Sequence, residues 1–145
     1  MKTFSIVATT GSLDGSLEVY LRSLKRQTLG IDHLEFVLVD DGLTDRSRQV
    51  VEEWKRRYPE SIRSVRATGE GLADARNAGM AAATAEWITF SDSGLPFHRN
   101  CFERIDRFLG GNGDQDLVLI CTDAPQLGNS SGKVESKYTM YGFSV

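Results

Sequence analysis

The sequence has little of several features that mark particular classes of protein. Of its 145 residues only two are cysteines, Cys101 and Cys121, which is too few for a disulfide framework. His98 and Cys101 are three residues apart, but two ligands do not make a structural zinc site. No apolar run approaches the roughly 20 residues that cross a bilayer, and the first residues lack the pattern of a secretory signal. We therefore expect a cytoplasmic chain with no transmembrane segment.

Basic charge is also scarce. Seventeen Lys and Arg residues stand against 20 Asp and Glu residues, which gives a formal net charge of −3. This balance gives the chain no overall attraction for nucleic acid or for an anionic membrane. The one basic cluster, Lys55-Arg56-Arg57, falls in the last turn of a predicted helix, where it complements the helix dipole. A hydrophobic fraction of 40% is ordinary for a globular domain.

Short apolar segments alternate with helical patterns along most of the chain. Apolar spacing of three and four residues predicts helices, the best defined of which begins near Thr44 or Asp45 and ends before Pro59. A face of small residues in the next helix allows close packing. The predicted strands are residues 4–9, 34–40, 62–67, 86–92 and 116–123. Repeated β-α-β units with apolar strands predict an α/β fold, a doubly wound, mostly parallel sheet with helices on both faces.

The pattern fades towards the carboxyl end of the sequence. Residues 1–124 are interpreted as one α/β domain, and residues 125–145 as an incomplete extension. In the extension a Gly/Ser-rich turn separates two weakly amphipathic stretches, so a hairpin or an unfinished element is expected. The domain is therefore predicted to be truncated, and a further domain or a homo-oligomer could complete it.

Polar residues follow the predicted strands at their carboxyl ends. Asp40 and Asp41 end the second strand, residues 68–71 follow the third, and Asp92 ends the fourth. Ligands bind outside the carboxyl ends of an open parallel sheet, so these positions predict a ligand site. Each feature also has a purely structural reading. Asp41 and the glycine after it make a common turn, and Asp45 could cap a helix.

Three separated segments carry a resemblance to a known family. A strand ending in "VDDG" is followed after about thirty residues by "GEGLADARNAG" and then by "AEWITFSDS". This order resembles the N-terminal half of family 2 glycosyltransferases, which have the GT-A fold, and the likeness covers roughly residues 3–109. The resemblance implies inverting transfer of a sugar from a nucleoside-diphosphate donor, most often a UDP-sugar, to a hydroxyl acceptor.

The resemblance also implies roles for individual residues. Asp41 would accept a hydrogen bond from the base, a suitable role because a carboxylate matches an N–H donor of uracil. Asp40 would support the loop, and the guanidinium of Arg76 would lie beside the diphosphate of the donor. The residues that would hold the nucleotide-sugar are Thr9, Asp40, Asp41, Arg76, Asn77 and Asp92.

The sequence departs from the family pattern at three points. The family usually carries Asp-X-Asp to hold Mg²⁺ or Mn²⁺, whereas this chain has Asp92-Ser93-Gly94. Asp92 would bind the metal, and Gly94 would weaken the site because one carboxylate is missing. Gly11 stands where an aromatic residue often stacks on the base. The catalytic base comes from the other half of the enzyme and stays unknown, since the context of Asp123 does not match its motif, so this chain alone is expected to be inactive.

Two other functions are alternatives to a catalytic transferase that binds a sugar donor. A non-catalytic nucleotide-binding or interaction domain would keep the fold and lose the chemistry, as the altered metal motif suggests. A dinucleotide-dependent oxidoreductase would share the type of sheet, but "ATTGSLDG" after the first strand has the wrong glycine spacing for the dinucleotide fingerprint. The oxidoreductase is the weakest of the three interpretations.

Overall fold

A computed structural model describes residues 2–13, 15–67, 69–91, 96–114, 116–122 and 138–143. It divides into two compact units, residues 1–103 and 104–145. No helix within the described ranges combines the length and the apolar character that a membrane span needs. The strands and helices, besides two short 3₁₀ turns, are β1 (Phe4–Thr9), α1 (Leu17–Lys25), β2 (Leu34–Asp40), α2 (Asp45–Arg57), β3 (Ile62–Arg66), α3 (Leu72–Ala82), β4 (Trp87–Phe90), α4 (Cys101–Gly111), β5 (Leu117–Thr122) and β6 (Tyr138–Phe143).

The first unit contains a four-stranded parallel sheet in the order β3-β2-β1-β4. The chain moves outward from β1 to β2 and β3, and then returns to place β4 on the other side of β1. Val7 of β1 accordingly lies opposite both Val37 of β2 and Phe90 of β4. The order reverses between β1 and β4, and this reversal creates a crevice at their carboxyl ends. The structure confirms the predicted α/β class.

One face of the sheet is covered by α3. Val7, Val37 and Val39 form a buried cluster with Ala75 of this helix. Helix α3 and the sheet lie close together at Gly79. A Cβ atom added to this glycine would lie 2.2 Å from Val7 Cγ1. This agrees with the prediction of a small-residue face. Leu72 begins the same helix but is 47% exposed, so it does not belong to this buried cluster.

The opposite face of the sheet is covered by aromatic side chains and by α1 and α2. The Tyr20 ring of α1 lies 5.2 Å from the Phe36 ring and 5.3 Å from the Phe97 ring, centroid to centroid. At the start of α4, Phe102 packs against Phe4 at 5.4 Å. Helix α2 contacts both α1 and β3. Helices therefore lie on both faces of the sheet, as predicted.

A buried carboxylate joins the strands near their amino ends. Glu35 of β2 is 2% exposed and accepts hydrogen bonds from the Ser5 hydroxyl at 2.5 Å and from the Thr84 N–H and hydroxyl at 2.8 and 2.9 Å. Arg63 of β3 pairs with it at 3.2 Å. Burial alone would raise the pKa of Glu35, but these hydrogen bonds and the guanidinium outweigh it and hold the pKa below its ordinary value. The network ties β1, β2, β3 and the turn after α3 together.

The second unit contains an antiparallel pair of strands. β5 pairs with β6, with Leu117 opposite Phe143 and Thr122 opposite Tyr138. The expectation that this apolar run is a further strand of the parallel sheet was wrong, because β5 belongs to a separate two-stranded sheet. An apolar run indicates a strand but does not identify the strand with which it pairs. The predicted domain boundary at residue 124 lies in residues 123–137, outside the described residues, so that division stays a prediction.

Candidate functional site

A cavity of about 600 Å³ lies at the carboxyl ends of β2 and β3. Its wall is built from the end of each strand, the start of α2 and the glycine-rich loop that leads into α3. The lining residues are Asp40, Asp41, Gly42, Arg48, Arg66, Ala67, Gly69, Glu70, Gly71 and Leu72. The cavity therefore lies on the edge of the sheet that the sequence pattern indicated.

The first acid of the pair is used within the protein. Asp40 Oδ1 accepts hydrogen bonds from the N–H groups of Gly42 at 3.1 Å and Leu43 at 3.0 Å, and its Oδ2 pairs with Arg48 Nη1 at 3.0 Å. The Leu43 N–H, followed by the Gly42 N–H and the Arg48 guanidinium, holds the pKa of Asp40 below its ordinary value despite partial burial. This carboxylate shapes the turn from β2 into α2.

The second acid is held on one side only. Asp41 Oδ1 accepts hydrogen bonds from the Thr10 hydroxyl and the Gly11 N–H, both at 2.7 Å. The Asp41 N–H in turn donates to Thr10 Oγ1 at 3.2 Å. Within the described residues no donor reaches Asp41 Oδ2. The exposed Asp41 side chain, which lines the cavity, thus has one carboxylate oxygen held in place and one without a donor among the described residues.

Gly11 has a local role in this arrangement. A Cβ atom added there would lie 3.2 Å from Asp41 Oδ2, which is crowded for a side chain on this loop. The backbone N–H of Gly11 donates to Asp41, and the absence of a side chain leaves room for the Asp41 carboxylate beside it. Thr10 and Gly11 were not singled out as contacts of Asp41, and the signal for them was their place directly after β1.

Three of the other residues assigned from the sequence, Thr9, Arg76 and Asn77, do not line this cavity. Thr9 is buried at the end of β1 and does not line it. Arg76 is half-buried, and its Cζ atom lies 5.3 Å from the centroid of the Phe90 ring at the end of β4. Asn77 is exposed on α3. Arg76 therefore lies beside the crevice between β1 and β4, and Asp92 lies outside the described residues.

Arg66 and Leu72 are among the lining residues that sequence reasoning missed, whereas Glu70 lies within residues 68–71, which were predicted to be part of the site. Arg66 ends β3 in register with Asp40, is exposed, and makes no ion pair or hydrogen bond within the described ranges. Leu72 begins α3 and is 47% exposed. The position of Arg66 directly before a polar loop was the signal that could have identified it.

The loop into α3 requires glycine at two positions. Gly71 precedes the helix with φ +91, a left-handed conformation that favours glycine. A Cβ atom at Gly69 would lie 2.2 Å from Asp74 Oδ2, so the loop backbone lies directly against the first turn of α3. These contacts fix the wall of the cavity on that side.

The described part of the chain contains no group of three or more His, Cys, Asp or Glu residues that could hold a metal ion. The residues placed by the structure therefore do not by themselves make a metal site. Asp92 and Gly94, on which the predicted Mg²⁺ or Mn²⁺ site depends, lie outside the described residues.

The parallel sheet and the polar cavity at its carboxyl edge define an α/β ligand-binding domain. Its family is shown by a match of residues 6–142 to the family model described as "Glycosyl transferase family 2". The chain belongs to glycosyltransferase family 2, as the sequence resemblance predicted.

Curated relatives are longer proteins. The chain is 30% identical over 120 residues to the minor teichoic acid biosynthesis protein GgaA of Bacillus subtilis (strain 168), covering 81% of this chain and 27% of that protein. It is 33% identical over 117 residues to a PGL/p-HBAD biosynthesis glycosyltransferase of Mycobacterium bovis (strain BCG / Pasteur 1173P2), covering 79% and 44%. The chain thus spans less than half the length of either protein.

Solved structures share the fold. S. aureus TarS 1-349 in complex with UDP matches with a TM-score of 0.73 and 24% identity, over 92% of this chain and 38% of that one. The mannosyltransferase PcManGT from Pyrobaculum calidifontis, in complex with GDP-Man and Mn²⁺, matches with a TM-score of 0.69 and 23% identity, over 86% and 36%. These likenesses confirm the predicted GT-A fold.

Proposed function

We propose that this chain binds a nucleoside-diphosphate sugar, with UDP as the nucleotide, as the donor-binding part of an inverting glycosyltransferase that acts on a hydroxyl acceptor. One observation carries the proposal. Asp41 has one carboxylate oxygen fixed by Thr10 and Gly11, and the residue lines a cavity at the carboxyl edge of the sheet. Membership of glycosyltransferase family 2 supports the same reading.

The character of the cavity suits the base and ribose of such a donor. Its volume of about 600 Å³ lies within the range of small-molecule sites. Among the described lining residues, three carry carboxylates (Asp40, Asp41 and Glu70) and two carry guanidinium groups (Arg48 and Arg66). A diphosphate would be repelled by this excess of negative charge, whereas N–H and hydroxyl donors on a base and a ribose would be accepted. The uracil N–H is proposed to donate to Asp41 Oδ2.

The diphosphate is proposed to lie towards the crevice between β1 and β4. Arg76 lies over Phe90 at that crevice, and a guanidinium matches phosphate oxygens in shape and charge. Asn77 follows it on α3, and Thr9 ends the strand between the cavity and the crevice. A donor placed in this way would run across the end of β1, with its base on Asp41.

A divalent ion remains a prediction from the sequence. Mg²⁺ or Mn²⁺, held by Asp92 together with donor oxygens, would stabilise the leaving diphosphate. Gly94 in place of a second acid would weaken that ion. The catalytic base that deprotonates the acceptor hydroxyl is not assigned to any residue of this chain. Cytoplasmic location and completion by a further domain or a second copy also stay predictions.

The second candidate function is a non-catalytic nucleotide-binding or interaction domain. It is favoured by the sequence Asp92-Ser93-Gly94, which lacks the second acid of the metal motif. The two candidates share the binding site and differ in chemistry. Release of sugar from a UDP-sugar supplied to the full-length protein with its acceptor would support the enzyme, and tight UDP binding without any turnover would support the binding domain.

Calorimetric titration with UDP tests the proposed donor site through Asp41→Asn. The asparagine keeps an oxygen that can accept from Thr10 and Gly11, but it replaces the charged acceptor with an N–H donor. Loss of one charge-assisted hydrogen bond costs about 1.5 to 3 kcal/mol, so UDP affinity should fall by about 10-fold to 100-fold. Asp32→Asn, an exposed change in the 3₁₀ turn before β2, should leave it unchanged. If the parent chain bound no UDP, or if Asp41→Asn bound it as tightly as the parent, the proposal would be wrong.

A further inference from the structure

Among the residues that the structure describes, none pairs with Arg66, a charged and exposed donor at the wall of the cavity. Its register partner is Asp40, but the Asp40 carboxylate is already satisfied by Arg48 and by two backbone N–H groups. Within the described ranges Arg66 makes no hydrogen bond or ion pair. In the part of the wall that the structure describes, Asp41 Oδ2 is thus an acceptor without a donor, and the Arg66 guanidinium is a planar donor without an acceptor.

We propose that Arg66 and Asp41 together select the nucleobase of the donor, an inference that rests on the proposed function. Asp41 accepts from a ring N–H, and the Arg66 guanidinium donates to the ring carbonyl beside it. Uracil and guanine present such an adjacent N–H and C=O, so either base satisfies both side chains. Cytosine and adenine present a ring nitrogen lone pair beside an amino group, which sets a lone pair against the carboxylate and N–H donors against the guanidinium. A site built on hydrogen bonds rejects such a mismatch strongly.

The apolar part of the wall fits the same ligand. Leu72 exposes 47% of its surface and lines the cavity together with Arg66 and Asp41. A single exposed leucine needs no explanation, but one that lines a polar cavity offers a flat ring an apolar surface. Because Gly11 supplies no aromatic face, Leu72 is the lining residue best able to contact the face of the base.

The alternative role for Arg66 is attraction of the donor phosphates by charge. The two roles predict different ligand dependence, since uridine carries the base and no phosphate. A contact with the base weakens uridine and UDP by the same factor when it is removed. A contact with phosphate weakens UDP and leaves uridine unchanged.

Binding of uridine, UDP and CDP is therefore measured for the parent and for Arg66→Met, which keeps an unbranched stem and removes the guanidinium. Calorimetry measures the affinities for the two diphosphates, and a chemical-shift titration measures the affinity for uridine. We expect Arg66→Met to weaken both uridine and UDP by about tenfold or more and to narrow the preference for UDP over CDP. Arg57→Met, which removes an exposed arginine from the last turn of α2, is the matched control and should change none of these affinities.

Each outcome bears on the proposal. Unchanged uridine binding by a folded Arg66→Met protein, checked by thermal melting, overturns it, whether or not UDP binding falls. Equal affinity of the parent for UDP and CDP also overturns it. If the parent binds UDP, and Asp41→Asn weakens that binding but Arg66→Met does not, the proposed function stands and only the role of Arg66 is wrong. If the parent binds no UDP, both the proposed function and the role of Arg66 are wrong.

Discussion

The buried Glu35 network gives a prediction that can be worked out from the structure. Glu35→Gln keeps the size of the side chain and removes the charge, so one of the two acceptor oxygens becomes an N–H donor. That donor then faces hydroxyl or N–H groups of Ser5 and Thr84, which lie within 2.9 Å of the carboxylate. Hydrogen bonds to a charged group contribute about 1.5 to 3 kcal/mol each. Part of this loss is offset, because a neutral glutamine avoids the desolvation cost of a buried charge. We expect a loss of about 2 to 3 kcal/mol in the free energy of unfolding at pH 7.

The same change removes a pH dependence. The folded-state pKa of Glu35 is lower than its ordinary value of 4.5, so the unfolded state binds the proton more readily. The stability that the carboxylate contributes is therefore present above about pH 4.5 and is lost as the pH falls through the lower folded pKa. Glutamine does not titrate. The difference in stability between the parent and Glu35→Gln should consequently shrink as the pH is lowered from 7 to 3.

Urea unfolding followed by tryptophan fluorescence measures this difference. Both tryptophans of the chain, Trp54 and Trp87, lie in the first unit, so the signal reports the unit that contains Glu35. Glu53→Gln, an exposed change on α2, is the control and should lie within about 0.5 kcal/mol of the parent. Equal stability of Glu35→Gln and the parent at pH 7, or a difference that stays constant down to pH 3, would refute the account of this network.

Two further substitutions test packing and the metal motif. Gly79→Ala places a methyl group 2.2 Å from Val7 Cγ1 and should cost about 1 to 3 kcal/mol of stability in the same unfolding assay. Met80→Ala, a change at an exposed position of the same helix, is the control and should cost less; equal effects would mean that α3 does not lie so close to the sheet. Gly94→Asp places a second acid two residues after Asp92 and should make UDP affinity depend markedly on Mn²⁺. A folded Gly94→Asp protein whose UDP affinity ignored Mn²⁺ would show that Asp92 does not occupy the metal position.

The parts of the fold that were predicted well are those set by local chemistry. β1 and β2 occupy the predicted residues, because buried strands of a parallel sheet read as continuous apolar runs with polar ends. Thr44 is the N-cap of α2 and accepts a hydrogen bond from the Ser47 N–H at 3.3 Å. The helix ends at Arg57, before the proline that follows Tyr58, because proline disfavours helical conformation in the residue before it.

The parts that sequence reasoning missed depend on partners distant in the chain. The pairing of β5 with β6 could not be inferred from the apolar run alone. The burial of Glu35 depends on Ser5, Arg63 and Thr84, which approach it from three other segments, and a single acid in a strand gives no sign of such a set. Leu72 has the spacing of a core residue but begins its helix at the edge of the sheet, so its side chain lines the cavity instead.

The two adjacent acids at the end of β2 have different partners. Asp40 is the last residue of the strand, and Asp41 is the first residue of the bend that follows it. Asp40 turns towards α2, where Arg48 and the N–H groups of the turn stabilise its charge. Asp41 turns towards the loop after β1, where Thr10 and Gly11 hold one of its oxygens. The first acid therefore builds the turn that positions the second, and only the second has an oxygen left for a ligand. For this reason a substitution at Asp40 should reduce stability and ligand binding together, while Asp41→Asn should reduce binding with little loss of stability.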